Sequence, residues 1–115
     1  RVYREMMDAL LPGSDVQPDP NSKQFETGHY IVNTTIDGVP VKFLDFYERE
    51  GGIVQLGMPL EGMWRGPDNV FRQVLENAVL ELWPDGFGNV EGPVYRFGRY
   101  LDHVDRIRER LEDAA

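Results

Sequence analysis

Cysteine is absent from the 115 residues of this chain, which excludes disulfide bonds and thiolate metal sites. A chain of this length is typical of one domain, and it can bury roughly two-thirds of the surface of its unfolded state. Such a domain needs no covalent cross-link. The missing cysteine disfavours a disulfide-built secreted fold, although secretion itself is compatible with it.

Lysine is scarce, since Lys23 and Lys42 are the two lysines among 12 basic residues and the other ten are arginines. The 20 acidic residues give a formal net charge of -8. An acidic domain repels phosphate backbones and anionic lipid surfaces. The composition therefore predicts no nucleic-acid partner and no membrane insertion.

Long apolar runs are also missing, because no stretch approaches the ~20 residues of a membrane span. No secretion signal is recognised in the sequence. The chain opens on Arg1 rather than on Met, from which we expect a processed or excised protein, with a lost targeting segment left open.

Catalytic side chains are few. The two histidines, His29 and His103, are 74 positions apart, and neither has a neighbour at metal-ligand spacing. Ser14 and Ser22 both fall in a polar stretch. An EF-hand spacing of acidic residues in that stretch fails because Pro20 occupies the glycine position of the loop. The sequence predicts no catalytic residues, no metal and no cofactor.

The chain is predicted to have three parts. Residues 1–24 are predicted to be an N-terminal helix, with an apolar stripe over 2–11, and a linker. Residues 25–101 form the predicted core. Residues 102–115 belong to a C-terminal helix whose stripe contains Leu101, Val104, Ile107 and Leu111.

Three segments of the core have simpler patterns. Residues 39–50 have helical apolar spacing, with Asp37 as an N-cap and Gly51–Gly52 as a stop. Residues 53–60 read as a buried extended segment, and residues 94–97 as a short strand.

The stretch "RQVLENAVLELWPDG" at 72–86 supports two structures. Its apolar residues have helical spacing. They also fit two strands, Val70–Leu75 and Ala78–Trp83, which meet at a two-residue turn, Glu76–Asn77. Periodicity alone does not separate these alternatives in short apolar runs.

Five short motifs follow one another along the chain: "ETGH" at 26–29, "FLDFYEREGG" at 43–52, "LGMPL" at 56–60, "QVLENAVLELWP" at 73–84 and "VYRFGRYL" at 94–101. In order and spacing they resemble a repeat-like domain of extracellular and cell-surface proteins of Chloroflexi and related bacteria, over residues 25–101. The chain is similar, more loosely, to LGFP repeats of actinobacterial wall-associated proteins.

The resemblance implies that 70–83 is a strand pair, and that the domain attaches or binds rather than catalyses. Val74, Leu75 and Trp83 replace the Tyr, Phe and His expected from the family pattern. The predicted fold class is α+β. A small antiparallel sheet from 53–60, 70–83 and 94–97 packs on the helix at 39–50, with helices flanking it at both termini.

Large aromatic side chains are the remaining indication of function. Their rings offer apolar area with a polar handle, which suits stacking on sugar faces. The alternative is that they close the edges of a small core, with His29 as a structural hydrogen-bonding group. The candidate ligand-binding residues are Trp64, Trp83, Tyr95, Tyr100 and His29.

These observations predict a non-catalytic binding or attachment module of a bacterial surface or secreted protein, with wall polysaccharide or another protein as its partner. Two alternatives remain open. One is an assembly domain that self-associates through its terminal helices. The other is a small hydrolase whose site converges on His29 or on a carboxylate pair, Glu76 and Glu81.

Overall fold

The computed structural model describes residues 22–105 and 108. That part of the chain contains eight strands and two short α-helices. In chain order they are β1 (Lys23–Gln24), β2 (Tyr30–Ile31), β3 (Asn33–Ile36), β4 (Val39–Lys42), α1 (Phe43–Arg49), α2 (Gly52–Leu56), β5 (Trp64–Arg65), β6 (Phe71–Val74), β7 (Val79–Trp83) and β8 (Val94–Gly98). A 3₁₀-helix at Tyr100–His103 follows β8.

The strands form three antiparallel sheets. The first pairs β1 with β2, and the second pairs β3 with β4. The third has four strands in the order β5-β6-β7-β8, so each strand lies beside its neighbour in sequence. Such a meander needs only short connections, which suits the turn-rich sequence between the strands.

The predicted α+β class is wrong, because the described residues are mostly β. The predicted helix at 39–50 begins only at Phe43. Asp37 and Gly38 both have positive φ, 51° and 80°, and they form the turn of a β3–β4 hairpin instead of capping a helix. An Asp-Gly pair favours this kind of turn, so the four residues after it pair with β3.

The extended segment predicted at 53–60 is also wrong at its start, where Gly52–Leu56 form α2. Gly51 and Gly52 have φ of 113° and 60°, which lets the chain reverse and begin a second helix at once. Ile53 and Val54 are 52% and 84% exposed, so the start of this apolar run lies outside the core, which Leu56 enters.

The predicted flanking helices lie largely outside the described residues. The stripe at 2–11 is outside altogether, as is the linker as far as residue 21. Of the C-terminal stripe the structure describes Leu101 and Val104, and the chain there begins as the 3₁₀-helix. No helix among the described residues has the length and apolar character needed to cross a membrane.

The strand pair predicted at 70–83 is confirmed. β6 and β7 are antiparallel, with Phe71 opposite Leu82 and Val74 opposite Val79. Glu76 and Asn77 lie in the connection, where their backbone N–H groups donate to the carbonyls of Met58 and Leu56 at 2.9 and 3.1 Å. The strand predicted at 94–97 is confirmed as well, as part of β8.

The main core lies between α1 and one face of the four-stranded sheet. Fully buried side chains come from both sides of this contact, among them Phe43, Tyr47, Phe71, Leu80 and Leu82. Helix α1 is held at its N-terminus by β3, since the Asp45 N–H donates to Asn33 Oδ1 at 3.1 Å. Helix α1 therefore covers one face of the four-stranded sheet.

Candidate functional site

The four-stranded sheet has a second face, opposite α1, which we call the outer face. The strand register places one residue from each strand in a row across it: Trp64, Arg72, Glu81 and Arg96. Trp83 lies on the same face two residues after Glu81, because side chains alternate along a strand. The pairing of β5 to β8 thus brings aromatic and charged side chains together on the outer face.

Arg72 lies between the two tryptophans. Its guanidinium carbon is 5.8 Å from the ring centres of both Trp64 and Trp83, within the range of a cation–π contact. We call these three residues the tryptophan platform. Both indoles are half-buried in the described structure, so part of each ring system faces solvent.

Carboxylates fix the orientation of both indoles. Trp64 Nε1 donates to Glu61 Oε2 at 3.0 Å, and Trp83 Nε1 donates to Glu81 Oε1 at 2.8 Å. Glu61 is buried and also accepts the backbone N–H of Val74 at 3.1 Å. The polar end of each indole is therefore bound within the protein.

Glu81 is the centre of an ion-pair network and is 4% exposed. Its Oε2 accepts from Arg72 Nε at 2.9 Å, and its Oε1 accepts from an Arg96 terminal nitrogen at 3.0 Å. Arg72 in turn donates to both oxygens of Asp68, at 3.2 and 2.9 Å. The two guanidiniums and two carboxylates balance in charge.

The network shifts the pKa of two of its members, Arg72 and Asp68. Burial opposes the charge on Arg72, but the hydrogen bonds that Arg72 donates to Asp68 and Glu81 outweigh this effect and raise its pKa. Burial likewise opposes the charge on Asp68, yet Arg72 and the Val70 N–H lower the pKa of this carboxyl. Each group is held in its charged form by its partner.

The β7–β8 loop extends the outer face. The Phe87 ring packs edge-on against Trp83, with centroids 4.9 Å apart, and the Arg96 guanidinium carbon lies 4.1 Å from the Phe87 ring centre. A tight turn closed by mutual backbone hydrogen bonds presents Phe87 and Val90, which are 38% and 59% exposed. This loop adds apolar area beside the tryptophan platform.

The other candidate residues lie elsewhere. Tyr95 points to the core face, where its ring is 5.5 Å from that of Phe46 and its hydroxyl accepts the Lys42 N–H at 2.7 Å. His29 belongs to the β1–β2 turn, where its carbonyl accepts the Phe25 N–H. Tyr100 opens the 3₁₀-helix and is 41% exposed. Trp64 and Trp83 are brought together through Arg72, whereas Tyr95 lies on the opposite face of the sheet.

The carboxylates of the hydrolase alternative do not face each other. Arg72, not Glu76, is opposite Glu81 in the register. Glu76 lies at the hairpin tip, where its Oε1 accepts the Met58 N–H at 2.7 Å. In the described residues no group of three or more His, Asp or Glu side chains is placed to hold a metal ion.

Sequence reasoning missed the partners of the tryptophans. Arg72 and Arg96 were not among the candidates, and Glu81 was considered only with Glu76 as a carboxylate pair. The meeting of the two arginines with Glu81 depends on the register of three strands. Gly98 was missed too. A Cβ there would lie 2.6 Å from Glu81 Oε2, so the absent side chain makes room for the carboxylate. If the strands at 70–75 and 78–83 are paired through a turn at Glu76–Asn77, Arg72 falls opposite Glu81. That opposite-charge pair could have indicated the network from the sequence.

Comparisons with protein families, with curated proteins and with solved structures found no match to this chain. The resemblance to repeat-like surface domains therefore stays a prediction. The class that the structure itself defines is a small, mostly β domain with an aromatic and arginine-rich sheet face.

Proposed function

We propose that this domain is a non-catalytic binding module that uses the tryptophan platform to hold a polysaccharide, as part of a bacterial surface or secreted protein. The observation that carries the proposal is that Trp64 and Trp83 share the outer face on either side of Arg72. The ligand class that suits the platform best is a wall glycan.

Fixed rings favour binding. Trp64 and Trp83 are anchored through their N–H groups and through contact with Arg72. A side chain that is already ordered loses little conformational entropy when a ligand binds, so more of the contact free energy remains as affinity. Aromatic anchors of this kind commonly dominate binding energies.

The electrostatics favour a ligand with little charge. Arg72 and Arg96 are already paired with carboxylates, so neither offers an uncompensated positive charge to an anion. The chain as a whole has a formal charge of -8. A sugar chain with apolar C–H faces can stack on the rings without opposing that charge.

The test is binding of the purified chain to insoluble peptidoglycan and to neutral wall polysaccharides, by co-sedimentation and calorimetry. Trp64→Ala and Trp83→Ala should each weaken binding by about tenfold or more, the usual effect of losing an aromatic anchor. Phe97→Leu is the matched control, because Phe97 is 38% exposed but packs on Phe46 on the opposite face.

Equal losses in all three variants would mean that the platform is not the binding surface. No binding of the wild-type chain to any of the polymers would remove the glycan proposal. Circular dichroism of each variant shows whether a loss of binding comes from unfolding, and retained fold with lost binding in the tryptophan variants supports the proposal.

A further inference from the structure

The 3₁₀-helix after β8 inserts one side chain into the ion-pair network. The His103 side chain is 11% exposed, and its Nε2 lies 3.8 Å from Glu81 Oε2. Tyr100 and Leu101, which begin the same turn, are 41% and 72% exposed. Among these three residues, His103 is the one that anchors the turn to the sheet.

Gly98 lets the anchor reach the network. Its missing side chain leaves the space that the Glu81 carboxylate occupies, at the end of β8 where the chain turns towards His103. The turn itself is closed by a hydrogen bond from the Asp102 N–H to the Arg99 carbonyl at 3.1 Å. This bond reports whether the turn is formed.

Charge balance decides which form of His103 fits. Glu81 Oε2 already accepts from Arg72 at 2.9 Å, and Glu81 Oε1 from Arg96. Asp68 compensates the second guanidinium. A protonated His103 would add a third cation to a nearly buried site, where an uncompensated charge is costly.

Among the described residues, Asp102 on the turn itself is a further charged neighbour. The Asp102 side chain is 56% exposed and lies 4.0 Å from Arg99, so it is paired near the surface. Burial and the positive charge of Arg72 lower the pKa of His103, whereas Glu81 and Asp102 act in the opposite direction. The docked turn therefore favours the neutral imidazole.

We propose that His103 is a pH-dependent latch: neutral, it holds the Tyr100–His103 turn against the outer face, and protonated, it releases the turn. A histidine whose pKa is lowered on docking contributes full stability above its undocked pKa, near 6.5. That contribution is lost as the pH falls through this value towards the docked pKa. The latch operates whether or not the tryptophan platform binds a glycan.

The experiment measures amide hydrogen exchange of the full chain by NMR between pH 7.5 and pH 5.0, as protection factors corrected for intrinsic rates. The Asp102 amide should lose protection as the pH falls, by about tenfold for each unit between the undocked and docked pKa of His103. Amides of β6 and β7 serve as the internal reference and should keep their protection.

Two variants separate the latch from general acid effects. His103→Gln cannot be protonated, so the Asp102 amide should keep at pH 5.0 the protection that it has at pH 7.5. His29→Gln alters the other histidine and should leave the transition as in the wild type. Unchanged Asp102 protection in the wild-type chain, or an equal loss in His103→Gln, would overturn the proposal. The wild-type titration decides the matter even if His103→Gln does not fold.

Discussion

At the scale of single residues, the buried carboxylate of Glu81 accepts hydrogen bonds from three side chains. One donor lies on its own strand, β7, and one on each neighbouring strand, β6 and β8. Arg72, Arg96 and Trp83 all donate to it within 3.0 Å. Ion pairs of this kind contribute modestly to stability as a whole, but removing one member leaves the others buried and unpaired. Loss of one member is therefore expected to cost more stability than the intact network contributes.

We predict that Glu81→Gln lowers the free energy of unfolding by about 3 kcal/mol, since Arg72 and Arg96 lose their common counter-charge. Urea unfolding followed by circular dichroism at pH 7 measures the change. Glu50→Gln is the control, because Glu50 meets Arg49 at 3.8 Å on an exposed surface. That variant should change stability by less than about 0.5 kcal/mol, and an equal effect of both substitutions would contradict the prediction.

At the scale of elements, the β3–β4 hairpin decides where α1 begins. The last residues before the helix pair with β3, and β3 then caps the helix. The Leu44 N–H donates to the Val32 carbonyl at 3.1 Å, and the Asp45 N–H to Asn33 Oδ1. These partners satisfy N–H groups that the first helical turn leaves unpaired. The cap thus comes from a strand rather than from the residue that precedes the helix.

We predict that Asn33→Ala destabilises the domain by about 1 kcal/mol, the usual loss when a capping side chain is removed. Asn33 Nδ2 also donates to Asp45 Oδ1 at 2.8 Å, so both bonds disappear together. Thr35→Ala is the control on the same strand, because Thr35 is exposed, and it should stay within about 0.5 kcal/mol. Thermal unfolding of both variants tests this, and an undiminished melting temperature in Asn33→Ala would refute it.

At the scale of the whole molecule, ionisable groups set the pH range of stability. Burial raises the pKa of Tyr47, whose hydroxyl donates to the Gly57 carbonyl at 2.8 Å, and also that of Tyr95. Folding therefore favours the neutral phenols. Their contribution to stability is full below about pH 10, the pKa of a free phenol, and declines as the pH rises above it. Asp68, with its lowered pKa, contributes above about pH 4 and loses that contribution in acid.

We predict that the free energy of unfolding falls between pH 9 and pH 11, and that Tyr47→Phe falls less steeply because one buried phenol is gone. At pH 7 the same variant should lose about 1–2 kcal/mol, since the Gly57 carbonyl loses its donor. Urea titrations across this pH range measure both effects. Tyr100→Phe, at an exposed position, should follow the wild-type slope, and a Tyr47→Phe slope equal to that of the wild type would contradict the prediction.

The sequence by itself determined the features that depend on neighbours along the chain. The strand at 94–97 was predicted from its own short apolar run. The run at 70–83 fitted a helix or a strand pair equally, and the resemblance to repeat-like surface domains favoured the strands that the structure has. Prediction from the sequence failed at 39–42 and 52–56, where Asp37–Gly38 and Gly51–Gly52 take positive φ and redirect the chain. Apolar spacing does not show whether residues that can take positive φ will cap a helix, end it or reverse the chain.

The tertiary structure alone decided which side chains meet. Trp64 and Trp83 were both candidates, but a register across three strands places Arg72 between them. The same register puts Glu81 beside Arg72 and turns Tyr95 to the core. Strand order and register arise from packing of the whole sheet, because a shift by one residue would exchange its two faces. Composition and spacing therefore identified candidate aromatic residues, but only the register of the folded sheet showed which of them lie together.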